Sequence, residues 1–197
     1  MSAAFLAGVV AGYGIAVPVG AIGVLIVGLS ARTSLGVGVA AAMGAATADG
    51  VYAVVAVLGG AALAGVIAPI ATPLRWVAAG VLLALAAKTA YGALRRSGTA
   101  ERPPRPVTAP AAYAGILGLT LLNPATVIYF AALILGRGGT GGGVWFVAGA
   151  FLASASWQLV LAGGGSLVGR VLTGGRGRLI TALVSSVVIA ALALTLL

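Results

Sequence analysis

Charged residues are so sparse in this chain that they and a few Gly/Pro-rich breaks cut it into long apolar runs, and the lengths of those runs constrain what it can fold into. The runs cover approximately residues 4–29, 35–60, 72–94, 110–136, 143–168 and 178–197. Each reaches the roughly 20 residues that an α-helix needs to cross about 30 Å of hydrocarbon. In that medium every backbone N–H and C=O has to be satisfied within the segment, which leaves the helix as the structure for each run. The expected fold class is an all-α integral membrane protein with six transmembrane helices. Composition agrees, because 61% of the 197 residues are hydrophobic, 7% are charged and the mean hydropathy is +1.20. A water-soluble domain carries roughly 25% charged residues. The first run has no basic segment before it and stays uncharged through Ala31, which is long for a signal-peptide core, so it is expected to be a retained span.

The longest interruption, "RRSGTAERPPRPVTAP" at residues 95–110, holds four prolines and reads as an exposed linker. It divides the chain into a first three-helix repeat (1–94), a cytoplasmic linker (95–110) and a second three-helix repeat (111–197). An odd number of spans in each half sets the two repeats upside down relative to each other, which is a transporter architecture. Arg32, then Lys88, Arg95, Arg96, Arg102 and Arg105, then Arg170, Arg176 and Arg178 occupy alternate loops, whereas the remaining loops hold Arg75 and Arg137 alone. The positive-inside rule then puts the linker in the cytoplasm and both termini outside, in the cytoplasmic (inner) membrane of a bacterium. The net charge of +9 is in this way a topology signal, and no nucleic-acid partner is expected. Lys88 lies about two helical turns before Arg95 and snorkels to that surface, the alternative being a lysine facing a cavity.

The chain has no Cys and no His, which removes disulfides, thiolate chemistry, imidazole metal sites and histidine bases. No cofactor, metal site or enzymatic activity is expected, since catalysis normally pairs such groups or a second acid with the first. The Gly-rich "GRGGTGGG" at 136–143 lacks the Gly-Lys-Ser/Thr ending of a phosphate loop, and no strand precedes it. It reads as an external loop.

Two pairs of residues mark helix breaks. Pro18 with Gly20 in "AVPVGAIG", and Asn123 with Pro124 in "LLNPATVI", stand near the middle of the first run of each half. A proline there removes a backbone hydrogen bond and frees a carbonyl. Both prolines are expected to face the bundle interior, around a substrate or proton pathway. Asp49, in "GAATADGVYA", lies about 21 Å along the second helix and so near the bilayer centre. Its charged form is costly there unless water, a cation or a bound proton offsets the cost, and the structural alternative is a carboxyl that only bonds a neighbouring helix. Ala40, Gly44 and Ala48, spaced four apart beside it, suit close helix packing. Gln158 needs a partner inside hydrocarbon and either lines the pathway or bonds a neighbour. It and the freed carbonyls are the expected partners of Asp49, while serines such as Ser154 are expected to bond their own or a neighbouring helix.

"PVGAIGVLIVGLSARTSLGVGVAAAMGAATAD", "GVLLALAAKTAYGALR", "NPATVIYFAAL" and "GAFLASASWQL", taken with the six-span plan, resemble the LysE family of amino-acid exporters across nearly the whole chain. The corresponding residues are Pro18, Gly20, Arg32, Gly36, Gly44, Asp49, Asn123 and Pro124. Ala21 stands where the family commonly has a second proline, and Ala125 where it commonly has a lysine, which leaves the substrate open. The resemblance implies export of amino acids or related cationic or zwitterionic metabolites driven by the proton gradient. Its partners would be the bilayer, the amino acid and protons, with a homodimer allowed. Arg32 orients the chain, and the family pattern also allows it a gate role. The competing readings are a non-transporting scaffold or accessory subunit and an ion exporter of the same superfamily.

Overall fold

The computed structural model describes residues 2–18, 20–67, 71–96, 107–123, 126, 129, 143–171 and 175–194. Among them there is no strand. The helices with described bounds are α1 (Ser2–Ala16), α2 (Ala21–Arg32), α3 (Leu35–Ile67), α4 (Ala71–Arg96), α5 (Ala109–Leu121), α6 (Gly143–Val171) and α7 (Gly175–Leu194). Within α3 and α6, Leu35–Gly59 and Gly143–Gly169 are long and apolar enough to cross a membrane, and α1 with α2 makes a third such segment if the bent pair counts as one.

The first apolar run is therefore two helices. α1 stops at Ala16 and α2 starts at Ala21, with a bend of 77° between them. Pro18 stands in this break, where its missing N–H cannot continue the α1 ladder. The fourth run is interrupted as well, because α5 ends at Leu121 and Asn123 follows outside the helix. Pro124 lies outside the described residues. Thr108 opens α5, its hydroxyl accepting from the Ala111 N–H at 3.4 Å. Most of the linker before it, and the Gly-rich run up to Gly142, also fall outside the described residues.

Close backbone approach holds the helices together. A Cβ at Gly8 or Gly12 would collide with α6 carbonyls of Phe146 and Ala150, and one at Gly149 with the Phe5 carbonyl of α1. Contacts advance in step along both helices, so α1 and α6 run parallel. α3 and α5 are parallel too, since Gly44 sits against the Tyr113 carbonyl and Tyr52 bonds the Leu121 carbonyl. α3 and α6 are antiparallel, with Gly50 against Phe151 and Asp49 against Ser154. α2 packs farther along α6, its Val27 and Ala31 carbonyls against Gly165 and Gly169. α4 pairs with α7, and α7 with α2. Without a hydrophobic force between helices in lipid, such small-residue contacts supply dispersion and carry the association.

Gly8→Ala is expected to destabilise the protein by about 1–3 kcal/mol, because its methyl meets fixed backbone. Gly80→Ala, with nothing within 4 Å of the added carbon, is expected to be neutral or stabilising by up to about 1 kcal/mol. Unfolding of both variants in detergent checks the contrast.

Candidate functional site

Asp49 sits fourteen residues into α3, about 21 Å from its start, on the face that meets α6. It is 3% exposed. The Ser154 hydroxyl of α6, fully buried, donates to Asp49 Oδ2 at 2.6 Å. Among the described residues no other hydrogen bond and no ion pair reaches Asp49. One turn farther along the same face of α6, Gln158 is 6% exposed and its Oε1 is buried with no hydrogen-bond partner among the described residues. The neighbouring Trp157 Nε1 is in the same condition.

This polar layer lies between two apolar clusters. On one side Ala53 and Ala56 of α3 meet Phe146 and Ala150 of α6 and Ala11 of α1. On the other, Ala41, Ala42 and Ala45 meet Ala162 of α6 with Leu25 and Ile26 of α2. Asp49 is one turn from Ala45 and one turn from Ala53, so a single polar layer separates two dry ones.

Hydroxyls tie the layer to the other helices. Tyr52, one turn from Asp49, donates to the Leu121 carbonyl at the end of α5. That bond satisfies one of the carbonyls a helix end leaves open. Tyr13 of α1 and Ser156 of α6 share a hydrogen bond of 2.8 Å, and the Tyr113 hydroxyl of α5 donates to Thr47 Oγ1 at 3.1 Å.

The structure brings Asp49 and Gln158 into this one layer. Asn123 lies two residues past Leu121, half-buried. Pro18 and Gly20 are exposed at the α1–α2 break, in contrast to the interior position expected of the proline. Their level is nevertheless that of the layer: α1 follows α6 as far as Ser156, and α2 joins it where Ser30 donates to the Ala162 carbonyl at 2.6 Å. The break therefore stands abreast of Gln158. Arg32 ends α2, half-buried, next to Ala31, whose carbonyl lies against Gly169 and so about 22 Å along α6 from Ser154. Lys88 is exposed on α4.

The observed partner of Asp49 is Ser154, where the freed carbonyls and Gln158 were expected. The available signal was the four-residue spacing of Ser154 and Gln158, which stacks two polar groups on one face of an otherwise apolar helix. Tyr52 and Tyr13 were not singled out at all, since a tyrosine in an apolar run gives no sign of which carbonyl or hydroxyl it will reach.

Chemically the layer offers oxygen acceptors and few donors. Gln158 Oε1 accepts nothing among the described residues and the hydrogen bond from Ser154 is on Oδ2 of Asp49, so a proton or a cationic N–H group fits the arrangement. No three metal-ligating side chains cluster among the described residues. A family model described as LysE type translocator matches residues 14–197. No curated protein and no solved structure matches the chain.

Ser154→Ala is expected to cost about 1–3 kcal/mol of stability by leaving a buried carboxyl without its donor. Ser156→Ala, at an exposed position, is expected to cost well under that. A double-mutant cycle with Asp49→Asn checks that the larger loss arises at the Asp49–Ser154 contact.

Proposed function

The chain belongs to the LysE type translocator family of membrane transporters, and we propose that it exports amino acids or related small cationic or zwitterionic metabolites by proton antiport. The observation that carries this reading is the polar layer: a buried carboxyl without an ion-pair partner among the described residues, held between two apolar clusters. A structural acid would have its hydrogen-bonding capacity filled, because an unfilled buried acceptor costs free energy. Here Gln158 Oε1 is buried without a hydrogen-bond partner among the described residues and Ser154 engages one oxygen of Asp49, and separation of either apolar cluster admits water to them from one side.

The proposed architecture is six spans in two inverted repeats, crossing the cytoplasmic membrane with both termini outside. The helix pairing supports it. α1 of the first half packs on α6 of the second, and α5 of the second packs on α3 of the first; α3 pairs with α6, and α4 with α7. Exchanging the halves reproduces the pattern, and the parallel and antiparallel senses suit alternate crossings. In this arrangement the α1–α2 break and the end of α5 are matched interruptions, the N-terminus of α2 offering backbone N–H groups to a cargo carboxylate and the carbonyls at the end of α5 accepting from its ammonium.

In cells loaded with amino acids, Asp49→Asn is expected to reduce efflux to the rate of cells lacking the protein. Gln158→Ala is expected to slow it about five- to tenfold, the worth of one hydrogen bond of about 1 kcal/mol. Intracellular pools measured with and without each variant check this, and unchanged export by Asp49→Asn would make the acid structural. A reporter fused after Leu197 is expected to read as external; a cytoplasmic signal contradicts the proposed orientation.

A further inference from the structure

The chain contains two acids. Glu101 belongs to the Pro-rich segment between the halves, and Asp49 to α3. No histidine is present to take a proton in its place. Antiport of a cationic cargo against protons, the reading on which this inference rests, involves two cations. A carrier with two buried carboxylates can assign one to each, whereas the described residues of this chain include a single one, Asp49.

Among the described residues the helices packed around Asp49 supply no substitute. α3 itself adds Tyr52, and α5 carries Tyr113 and no charged residue. α6 carries Arg170, sixteen residues past Ser154 and about 24 Å along the helix. α2 carries Arg32 at its far end, and α1 carries Tyr13. Tyr129 lies against the cluster of Ala53 and Phe146.

We infer that Asp49 is one site occupied in turn by a proton and by the primary ammonium group of the cargo, with Gln158 Oε1 as the second acceptor for the ammonium. Ser154 holds Oδ2 in both states, leaving Oδ1 for the exchanging cation. The ammonium has three N–H donors; Asp49 Oδ1 and Gln158 Oε1 take two and water takes the third. When a cargo R–NH3⁺ meets the protonated acid, Asp49 becomes the carboxylate, the ion pair forms, and the displaced proton leaves to water on the side toward which the site is open.

Exchange follows from the cost of the empty state. A bare carboxylate between two apolar clusters is disfavoured, so the site changes sides with one cation or the other bound. The same carboxylate cannot hold both, so loading one releases the other without a second ionisable group. Gln158 adds selection, because its carbonyl oxygen rewards an N–H donor that a quaternary ammonium lacks.

Binding of the common L-amino acids to the purified full chain in a weakly buffered, pH-indicating solution tests this. The tightest binder is expected to release one proton per molecule bound and to weaken about tenfold per unit fall in pH at the acid end. Its fully N-acetylated derivative is expected to do neither. Asp49→Asn is expected to bind weakly and without pH dependence; proton release by the unsubstituted chain decides the matter even if that variant misfolds. Affinity independent of pH, with no proton released by a chain that still exports the amino acid, overturns the single-site inference and leaves the transport reading standing. Neither binding nor export of any of them overturns both.

Discussion

The hydrogen bond from Ser154 to Asp49 crosses the antiparallel contact of α3 and α6, and it fixes their register. A carboxyl buried to 3% exposure needs a donor, and displacement of α6 by one turn would set Ala150 in place of Ser154. Among the apolar contacts Gly50 against Phe151 adds to that register, whereas the alanines along the two helices slide past one another with little change in packing. The polar pair therefore does for these helices what a buried polar residue does in a coiled coil, selecting one alignment among several of similar contact area.

α6 is the element on which the remaining geometry converges. Its first half receives α1 through Gly8, Gly12 and Gly149, and its second half receives α2 through Gly165 and Gly169. The 77° bend between α1 and α2 thus comes to lie beside Gln158, and helix ends with open backbone groups are brought level with the acid. Tyr52 bonds the Leu121 carbonyl at the end of α5, which connects the second interruption to the same layer. Two dry clusters close it off along α3 and α6, so the transport reading needs only that one of them separate at a time.

Much of this was legible in the sequence. Run lengths gave the helices, Pro18 marked the break in the first run, and the four-residue spacing of Ala40, Gly44 and Ala48 placed Asp49 beside a packed face. What stayed hidden was which helix meets which. Hydrophobic periodicity tells an interior face from an exterior one only when the outside is polar, and in lipid both faces of α1, α3 and α5 are apolar. Ser154 was accordingly indistinguishable from a serine bonded to its own helix until α3 was seen against it. The exposure of Pro18 was hidden for a related reason: sequence gives the level of a break along a helix, but the rotation that turns a residue inward is set by the partner helix. That partner contact is made by glycines several turns away, at positions a proline pattern does not encode.

The central claim is that the Asp49 layer is a site open in turn to each side of the membrane. The chain has no cysteine, so Gln158→Cys introduces a unique thiol one turn from Ser154. In oriented membranes a membrane-impermeant thiol reagent is expected to modify it when supplied from either face, more slowly when the exported amino acid is present at saturation. Modification from neither face would contradict the account, leaving the layer as a sealed packing contact between α3 and α6.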